Sequence, residues 1–161
     1  MPAARIEPTL NAVQRTLLLL DVEPFQALTS EELAEVAATM VEMRFEAGET
    51  ILTSGDLDGR LYVVVDGVAE QGAAGGSVTR PATRAMAFGL FGLMGVPSDE
   101  TVRAVEPTHV LVLAREDFIE ALSDNPAFAV GCLRGLTLLI RTLLRRIETL
   151  EKPQAGGESA G

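Results

Sequence analysis

The sequence has few of the residues that carry redox, metal or stacking chemistry. Among 161 residues there is one cysteine, Cys132, one histidine, His109, one tyrosine and no tryptophan. A single cysteine excludes an internal disulfide, and the absence of spaced partners argues against a metal site or a nucleophilic triad. An aromatic platform for single-stranded nucleic acid is also missing. We therefore expect no catalytic residue and no metal ligand, and we interpret His109 as a solvated turn residue and Cys132 as a small buried apolar residue.

Basic residues and long apolar runs are also scarce. The 13 Lys and Arg residues are outnumbered by 23 Asp and Glu, which gives a formal net charge of −10 and disfavours direct binding of nucleic acid. Apolar stretches such as those at 17–20, 61–65 and 136–140 are far shorter than the roughly 20 residues that cross a bilayer, and the first residues lack a signal-peptide pattern. We therefore expect a cytoplasmic protein without a transmembrane segment.

The first 40 residues predict two helices. Thr9 is expected to cap the first, which ends at Asp21 and Pro24 and has an apolar stripe at helical spacing formed by Leu10, Val13, Leu17 and Leu20. Thr29 and Glu32 have the spacing of a capping box. That pattern begins a second helix, whose apolar positions are Leu33, Val36, Ala37 and Met40.

From Val41 the pattern changes from helical to alternating, which is typical of strands. Residues 41–46 place Val41, Met43 and Phe45 on one face and Glu42, Arg44 and Glu46 on the other. The continuous apolar run at 61–65 predicts a buried strand that ends at an Asp-Gly turn. We expect a mobile glycine-rich loop at 71–81 and a hairpin formed by strands 101–106 and 109–114. Asp56 and Asp58 are interpreted as turn residues, because the spacing of a calcium loop is absent.

The last helix has an apolar seam. After a short helix at 115–122, the Asn125-Pro126 pair is expected to begin a helix that reaches about Lys152. Its heptad-spaced positions, which we call the seam, are Leu133, Leu136, Ile140, Leu143, Ile147 and Leu150. Such spacing favours pairing with a second copy, although a helix can also bury these residues against its own domain. Residues 125–152 contain five basic and two acidic residues, a net charge of +3.

These helices and about eight short strands predict an α+β fold, and the family resemblance given below implies that the strands form an antiparallel β-roll, similar to a jelly roll. We expect an N-terminal tail at 1–8, one domain at 9–152 and a disordered tail at 153–161. Within the domain, residues 9–40 form N-terminal helices, 41–114 the roll and 115–152 the C-terminal helices.

Several motifs resemble the cyclic nucleotide-binding domain family, which includes catabolite activator proteins and kinase regulatory subunits. The resemblance runs from about residue 22 to residue 150. The motifs on which the resemblance rests are Pro24-Phe25, Leu28-Thr29, Phe45-Glu46-Ala47-Gly48-Glu49, Ser54-Gly55-Asp56, Leu61-Tyr62-Val63-Val64-Val65-Asp66-Gly67 and Thr101-Val102-Arg103-Ala104. Activators of this family continue into a helix-turn-helix module. Nine residues follow Lys152 here, so we expect no DNA-reading element in this sequence.

The resemblance implies a ligand site with two polar contacts. In the family, an Arg and backbone amides neutralise the cyclic phosphate, and a Glu accepts a hydrogen bond from the ribose 2′-hydroxyl. Here Ser98 occupies the Arg position, and a leucine occupies the Glu position, whether the motif is Phe88-Gly89-Leu90 or Phe91-Gly92-Leu93. The positions of this altered pocket are Phe88, Gly89, Leu90, Pro97, Ser98, Asp99 and Thr101. We expect weak or no cyclic nucleotide binding and no bound cofactor, because Arg80, Arg84 and Arg103 are not expected to replace the missing cation.

The resemblance favours a non-catalytic regulatory or sensor module that acts through its last helix, by dimerisation or on an effector protein or fused domain. Two alternatives stay open at this point. One is a genuine cyclic nucleotide receptor with an atypical pocket, and the other is a purely structural dimerisation domain. The sequence identifies neither the ligand nor the output partner.

Overall fold

The computed structural model describes residues 4–23 and 25–153, and shows a β-roll between helices. Pro24 and the tail from residue 154 lie outside the described residues. The strands are β1 Ala4–Arg5, β2 Val41–Phe45, β3 Thr50–Leu52, β4 Arg60–Asp66, β5 Ala69–Ala73, β6 Thr79–Ala82, β7 Ala87–Phe88, β8 Glu100–Ala104 and β9 Thr108–Ala114. The helices are α1 Ala12–Leu20, α2 Ser30–Thr39, α3 Leu90–Leu93, α4 Arg115–Asp124 and α5 Pro126–Glu151, with a 3₁₀ turn at Phe25–Ala27.

The strands form two antiparallel sheets. Sheet one has the order β1-β2-β9-β4-β7 and sheet two the order β3-β8-β5-β6. This arrangement confirms the predicted α+β fold and β-roll. Because β1 pairs with β2, the segment that we expected to be a tail is attached to sheet one.

Two apolar clusters lie on the two faces of sheet one. Leu61, Val63 and Val65 of β4 pack under the helices, whereas Tyr62 and Val64 point between the two sheets. Burial on both faces explains why the sequence of β4 is continuously apolar rather than alternating.

The helices confirm some predicted boundaries and correct others. Thr29 and Glu32 form the predicted capping box of α2, and Asn125 caps α5 with Pro126 in its first turn. In α1 the cap is Asn11 rather than Thr9. Its predicted stripe is half wrong, because Val13 and Leu17 are 66% and 57% exposed, whereas Leu10 and Leu20 pack against the core. The buried face of α1 contains Arg15, Thr16, Leu18 and Leu19.

Two predictions for the sheets are wrong. Residues 71–81 are largely ordered in β5 and β6, which pair from Ala69–Ala82 to Gly72–Thr79. The predicted hairpin does not form, because β8 pairs with β3 and β5 whereas β9 pairs with β2 and β4. The short connection at residues 105–107 therefore crosses from one sheet to the other, and such a crossing leaves no signature in local sequence.

Glu42, predicted on the polar face of its strand, and His109, predicted to be a solvated turn residue, are both buried. Glu42 is 1% exposed and His109 is 8% exposed. The Glu42 carboxylate accepts hydrogen bonds from the Thr9 hydroxyl at 2.7 Å and the Leu10 N–H at 3.0 Å. It also forms an ion pair with Arg15 at 2.9 Å. Burial raises the pKa of Glu42, but these hydrogen bonds outweigh it and lower the pKa to about 2.

Helix α5 has 26 residues, and residues 141–151 are all exposed. Within the described residues it is the one helix that is long and apolar enough to cross a membrane, judged by length and composition alone. Core helices of soluble proteins meet the same criterion. The expectation of no transmembrane segment, made from the short apolar runs, stays a prediction, and the charges of α5 bear on it. Arg134 and Arg141 interrupt its apolar stretch, and each arginine costs roughly 2.5 to 3.5 kcal/mol at the centre of a membrane helix.

Candidate functional site

The short helix α3 marks the position of the expected pocket. Gly89 caps it with φ of 90°, so the Phe88-Gly89-Leu90 register corresponds to the helix start and Gly92 lies inside the helix. A side chain at residue 89 would be strained in this conformation, and its Cβ would also collide with the Arg60 carbonyl oxygen. Leu90 therefore stands at the first helical position, where the family has its ribose-binding Glu.

Ser98, at the family's Arg position, is buried with 5% exposure. Its hydroxyl donates to the Glu100 carbonyl and accepts from the Glu100 N–H, both at 3.2 Å. The Ser98 carbonyl accepts from the Gly55 N–H at 2.7 Å. The backbone N–H of Ser54 donates to the Thr101 hydroxyl at 3.1 Å. These hydrogen bonds connect the segment after α3 to the turn at residues 54–56. The hydroxyl and the carbonyl of Ser98 both have partners within the protein.

Acidic side chains and the arginines Arg80 and Arg115 lie beside this segment. Asp99 is exposed, as is Pro97, and Glu100 forms a salt bridge with Arg80 of β6. Arg84 donates to the Val65 carbonyl at 2.8 Å, and Arg103 is exposed on β8. Of the three arginines considered as substitutes, Arg80 is the one held directly beside the altered segment.

Aromatic rings fill the roll interior beside α3. Tyr62 stacks on Phe88, with ring centroids 5.3 Å apart, and meets Phe45 edge-on at 6.5 Å. The Tyr62 hydroxyl donates to Asp58, and burial, together with Asp58, raises the pKa of Tyr62 above its usual value. The ring of Phe88, which we predicted as a pocket residue, is thus part of the packed interior.

A solvent-connected cavity of about 550 Å³ lies beside Leu90, between the roll and α5. Its polar lining includes Gln71 and Arg80 from the roll, Arg146 from α5, and the acidic residues Asp21 and Glu23. Sequence reasoning placed Gln71 and Arg80 in a mobile loop and so missed this wall. Within residues 4–23 and 25–153, no group of three or more His, Cys, Asp or Glu side chains could hold a metal ion.

The seam of α5 is largely exposed in the part of the chain that the structure describes. Leu133, Ile140, Leu143, Ile147 and Leu150 are exposed, whereas Leu136 is half-buried. The first part of α5 packs on the domain through Phe128, Gly131, Cys132 and Gly135, which are buried. At Gly131 a Cβ would collide with the Leu28 side chain, so glycine permits this close approach. Cys132 is buried as predicted, and burial raises the pKa of its thiol to about 12.

Comparison with known proteins identifies the family. The model of the cyclic nucleotide-binding domain matches residues 42–125, so the chain belongs to the cyclic nucleotide-binding domain family. This confirms the resemblance found in the sequence. A comparison with curated protein sequences gave no match.

Solved structures share the fold over most of the chain. The N-terminal domain of a transcriptional regulator from Streptomyces coelicolor A3(2) is 25% identical with a TM-score of 0.68, over 84% of this chain and 96% of that one. A cyclic nucleotide-binding domain from Methylobacillus flagellatus KT is 18% identical with a TM-score of 0.71, over 98% and 92%. The Thermus thermophilus catabolite activator protein is 24% identical with a TM-score of 0.64, over 79% of this chain and 62% of that one.

Proposed function

We propose that this chain is a non-catalytic cytoplasmic regulatory module that does not bind cyclic AMP or cyclic GMP tightly and that pairs with a second copy through α5. The proposal of weak nucleotide binding rests on the position and the hydrogen bonds of Ser98. Ser98 stands where the family has its phosphate-binding Arg, and its hydroxyl is held by the Glu100 backbone at 3.2 Å. No cationic side chain extends from this position toward a phosphate.

The loss of the phosphate contact has a large expected cost. Removing one partner of a desolvated charge pair costs roughly 2 to 5 kcal/mol, and about 1.4 kcal/mol changes affinity tenfold. Leu90 cannot accept the hydrogen bond of a ribose hydroxyl. The carboxylates of Asp99 and Glu100, next to the former Arg position, further repel a phosphodiester.

The exposed seam supports pairing through α5. Exposed apolar patches of this extent mark interaction sites in soluble proteins, and the heptad spacing of the seam fits a parallel or antiparallel helix pair. A second copy presents the same apolar seam, so one surface satisfies both chains in a two-fold symmetric dimer. The arginines of α5 disfavour insertion into a membrane and are tolerated at the edge of a helix pair.

In this proposal α3 links the roll to α5. Leu90 and Leu93 of α3 and Leu133 and Leu136 of α5 line one shared cavity, so a displacement of α3 changes the surroundings of the first two seam residues. A change in the roll would thus reach the dimer interface by repacking of side chains rather than by chemistry.

Calorimetric titration with cyclic AMP and cyclic GMP, with light scattering on the same sample, tests the proposal. We expect a dimer and no saturable binding below about 100 μM nucleotide. A matched comparison is the double variant Leu90→Glu with Ser98→Arg, which restores both family side chains and should gain affinity if the backbone of the pocket is retained. A dissociation constant of about 10 μM or tighter for the unmodified protein would overturn the proposal.

A second candidate is an atypical nucleotide receptor that uses Arg80. It is favoured by one observation, the cavity of about 550 Å³ beside Leu90 in which Arg80 and Arg146 share a wall. For this candidate, Arg80→Gln should abolish nucleotide binding, whereas Arg103→Gln on the exposed face of β8 should not. Nucleotide binding that is unaffected by Arg80→Gln would eliminate this candidate.

A further inference from the structure

A second cavity, of about 220 Å³, lies outside the β-roll. Its walls come from four elements: the 3₁₀ turn, α3, α4 and α5. The lining residues are Phe25, Leu90, Leu93, Met94, Phe118, Leu122, Ala129, Cys132, Leu133 and Leu136. Phe25, Leu93 and Phe118 belong to the cluster under the helices, whereas Phe88 belongs to the cluster between the sheets. The cavity is therefore separated by sheet one from the interior of the roll.

The chemistry of the walls excludes charged ligands. Every lining side chain is a hydrocarbon apart from the sulfur atoms of Met94 and Cys132. Burial, together with the charge of Glu32, raises the pKa of the Cys132 thiol to about 12, so the thiol is neutral at pH 7. An ion placed among these side chains would lose its hydration without finding a partner. A cyclic nucleotide or any other phosphate ester is therefore a poor occupant.

The volume limits the size of a ligand. An apolar cavity of about 150 Å³ lined by Leu, Ile and Phe stays dry and binds benzene, which has six carbon atoms. By proportion, 220 Å³ holds roughly nine non-hydrogen atoms, which corresponds to one substituted ring or two fused rings. The rings of Phe25 and Phe118 in the walls favour an aromatic occupant, because aromatic pairs gain energy beyond area burial.

The wall formed by α3 is a single short helical turn. This helix has four residues, and its ends carry two glycines with positive φ, Gly89 at 90° and Gly95 at 78°. The opposite wall is the part of α5 that contains the first seam residues. An occupant in contact with Leu93 and Leu136 would fix the distance between α3 and α5.

We propose that this cavity is a binding site for small uncharged aromatic molecules of about the size of indole, and that its occupancy holds α3 against α5. The site is distinct from the pocket of the roll. It goes beyond the proposed function, because it concerns a different cavity and requires neither loss nor retention of nucleotide binding.

Titration of the full chain with indole, followed by methyl chemical shifts and by thermal unfolding, tests the inference. Expected are saturable shifts at the methyl groups of Leu93 and Leu136, none at Val102 and Val110 inside the roll, and a rise in Tm with indole concentration. Indole-3-carboxylate, which adds a charge, should bind at least about tenfold more weakly. The absence of shifts at Leu93 and Leu136, or equal binding of the charged analogue, would overturn the inference.

A cavity-filling variant and a matched control sharpen the test. Ala129→Leu adds three carbon atoms to the lining and should weaken indole binding at least tenfold. Ala127→Leu makes the same change at an exposed position of the same helix and should leave binding unchanged. Equal indole affinity of the two variants would contradict the inference. If Ala129→Leu does not fold, the methyl shifts of the unmodified protein during the indole titration test the inference alone. Nucleotide titration has a separate readout, so failure here is distinguishable from failure of the proposed function.

Discussion

Glu42 and His109 are 67 positions apart in the sequence, and Oε2 of Glu42 lies 2.8 Å from Nε2 of His109 in the folded protein. The same carboxylate is in contact with Arg15 of α1 and with the backbone of Thr9 and Leu10. Arg15 also donates to the Met40 carbonyl, at 2.7 Å, where α2 ends. One buried carboxylate thus connects the N-terminal segment, both N-terminal helices and sheet one.

Removing the charge of Glu42 should strongly destabilise the protein. Glu42→Gln leaves Arg15 buried without a compensating charge, and breaking such a pair costs roughly 3 to 5 kcal/mol. Urea unfolding at pH 7 measures the loss. Glu35→Gln, at an exposed position of α2, is the matched control and should change stability by less than about 0.5 kcal/mol. Equal stabilities of the two variants would show that the buried pair contributes nothing.

The same carboxylate predicts a pH dependence of stability. The pKa of Glu42 is lowered from 4.5 to about 2 on folding, so the folded state favours the charged form. Its stabilisation is complete above pH 4.5 and is lost as the pH falls toward 2. A difference of this size corresponds to roughly 3 kcal/mol. The unfolding free energies of the unmodified protein and of Glu42→Gln should therefore converge between pH 4.5 and 2, and a constant difference across that range would refute the assignment.

What could be predicted from the sequence was local. The capping box of α2 and the cap of α5 require residues three positions apart, so the pattern alone identifies them. The motifs around α3 left two registers, and only the positive φ of Gly89 distinguishes them. That Leu90 and Ser98 replace the family's polar contacts stays a prediction.

What could not be predicted depends on distant contacts. Arg15 disrupts the apolar pattern of α1, and nothing near it shows that its partner is Glu42 on a strand 27 residues later. The pairing of β5 with β6 was hidden by glycines and by Pro81, whose composition is that of a loop. The outer face of α1 illustrates the opposite error, because Val13 and Leu17 are apolar and yet exposed.

Gly89 should be far less replaceable than a glycine with the same backbone angle elsewhere. Gly89→Ala combines a φ of 90° with a collision against the Arg60 carbonyl, whereas Gly48→Ala has a φ of 88° and open space around its Cβ. We expect a loss of about 1 kcal/mol for Gly48→Ala and at least about 2 kcal/mol for Gly89→Ala. Equilibrium unfolding measures both, and equal losses would show that α3 moves freely to admit the methyl group.

Cys132 should be inert in the folded protein. With a thiol pKa of about 12, its thiolate fraction at pH 8 is about a thousandfold below that of an ordinary cysteine, whose pKa is near 8.5. Labelling by a disulfide reagent should therefore be slow in buffer and fast in urea. Cys132→Ser supplies the blank for both conditions. Rapid labelling of the folded protein would show that the first half of α5 opens readily from the domain.

The seam makes the sharpest prediction about assembly. Ile140 and Leu138 are both exposed residues of α5, 57% and 40% respectively, but their separation of two residues places them on nearly opposite faces of the helix. Ile140→Lys inserts a charge into the centre of the seam. Leu138→Lys inserts the same charge on the other face.

Light scattering at about 50 μM protein should give a dimer for the unmodified chain and for Leu138→Lys, and a monomer for Ile140→Lys, because two buried ammonium groups facing each other cost several kcal/mol. Thermal unfolding controls for folding, since an exposed Lys on a helix changes stability little. A dimer that survives Ile140→Lys and dissociates with Leu138→Lys would place the interface on the opposite face of α5. A monomer in all three samples would show that the heptad spacing of the seam does not by itself produce a dimer.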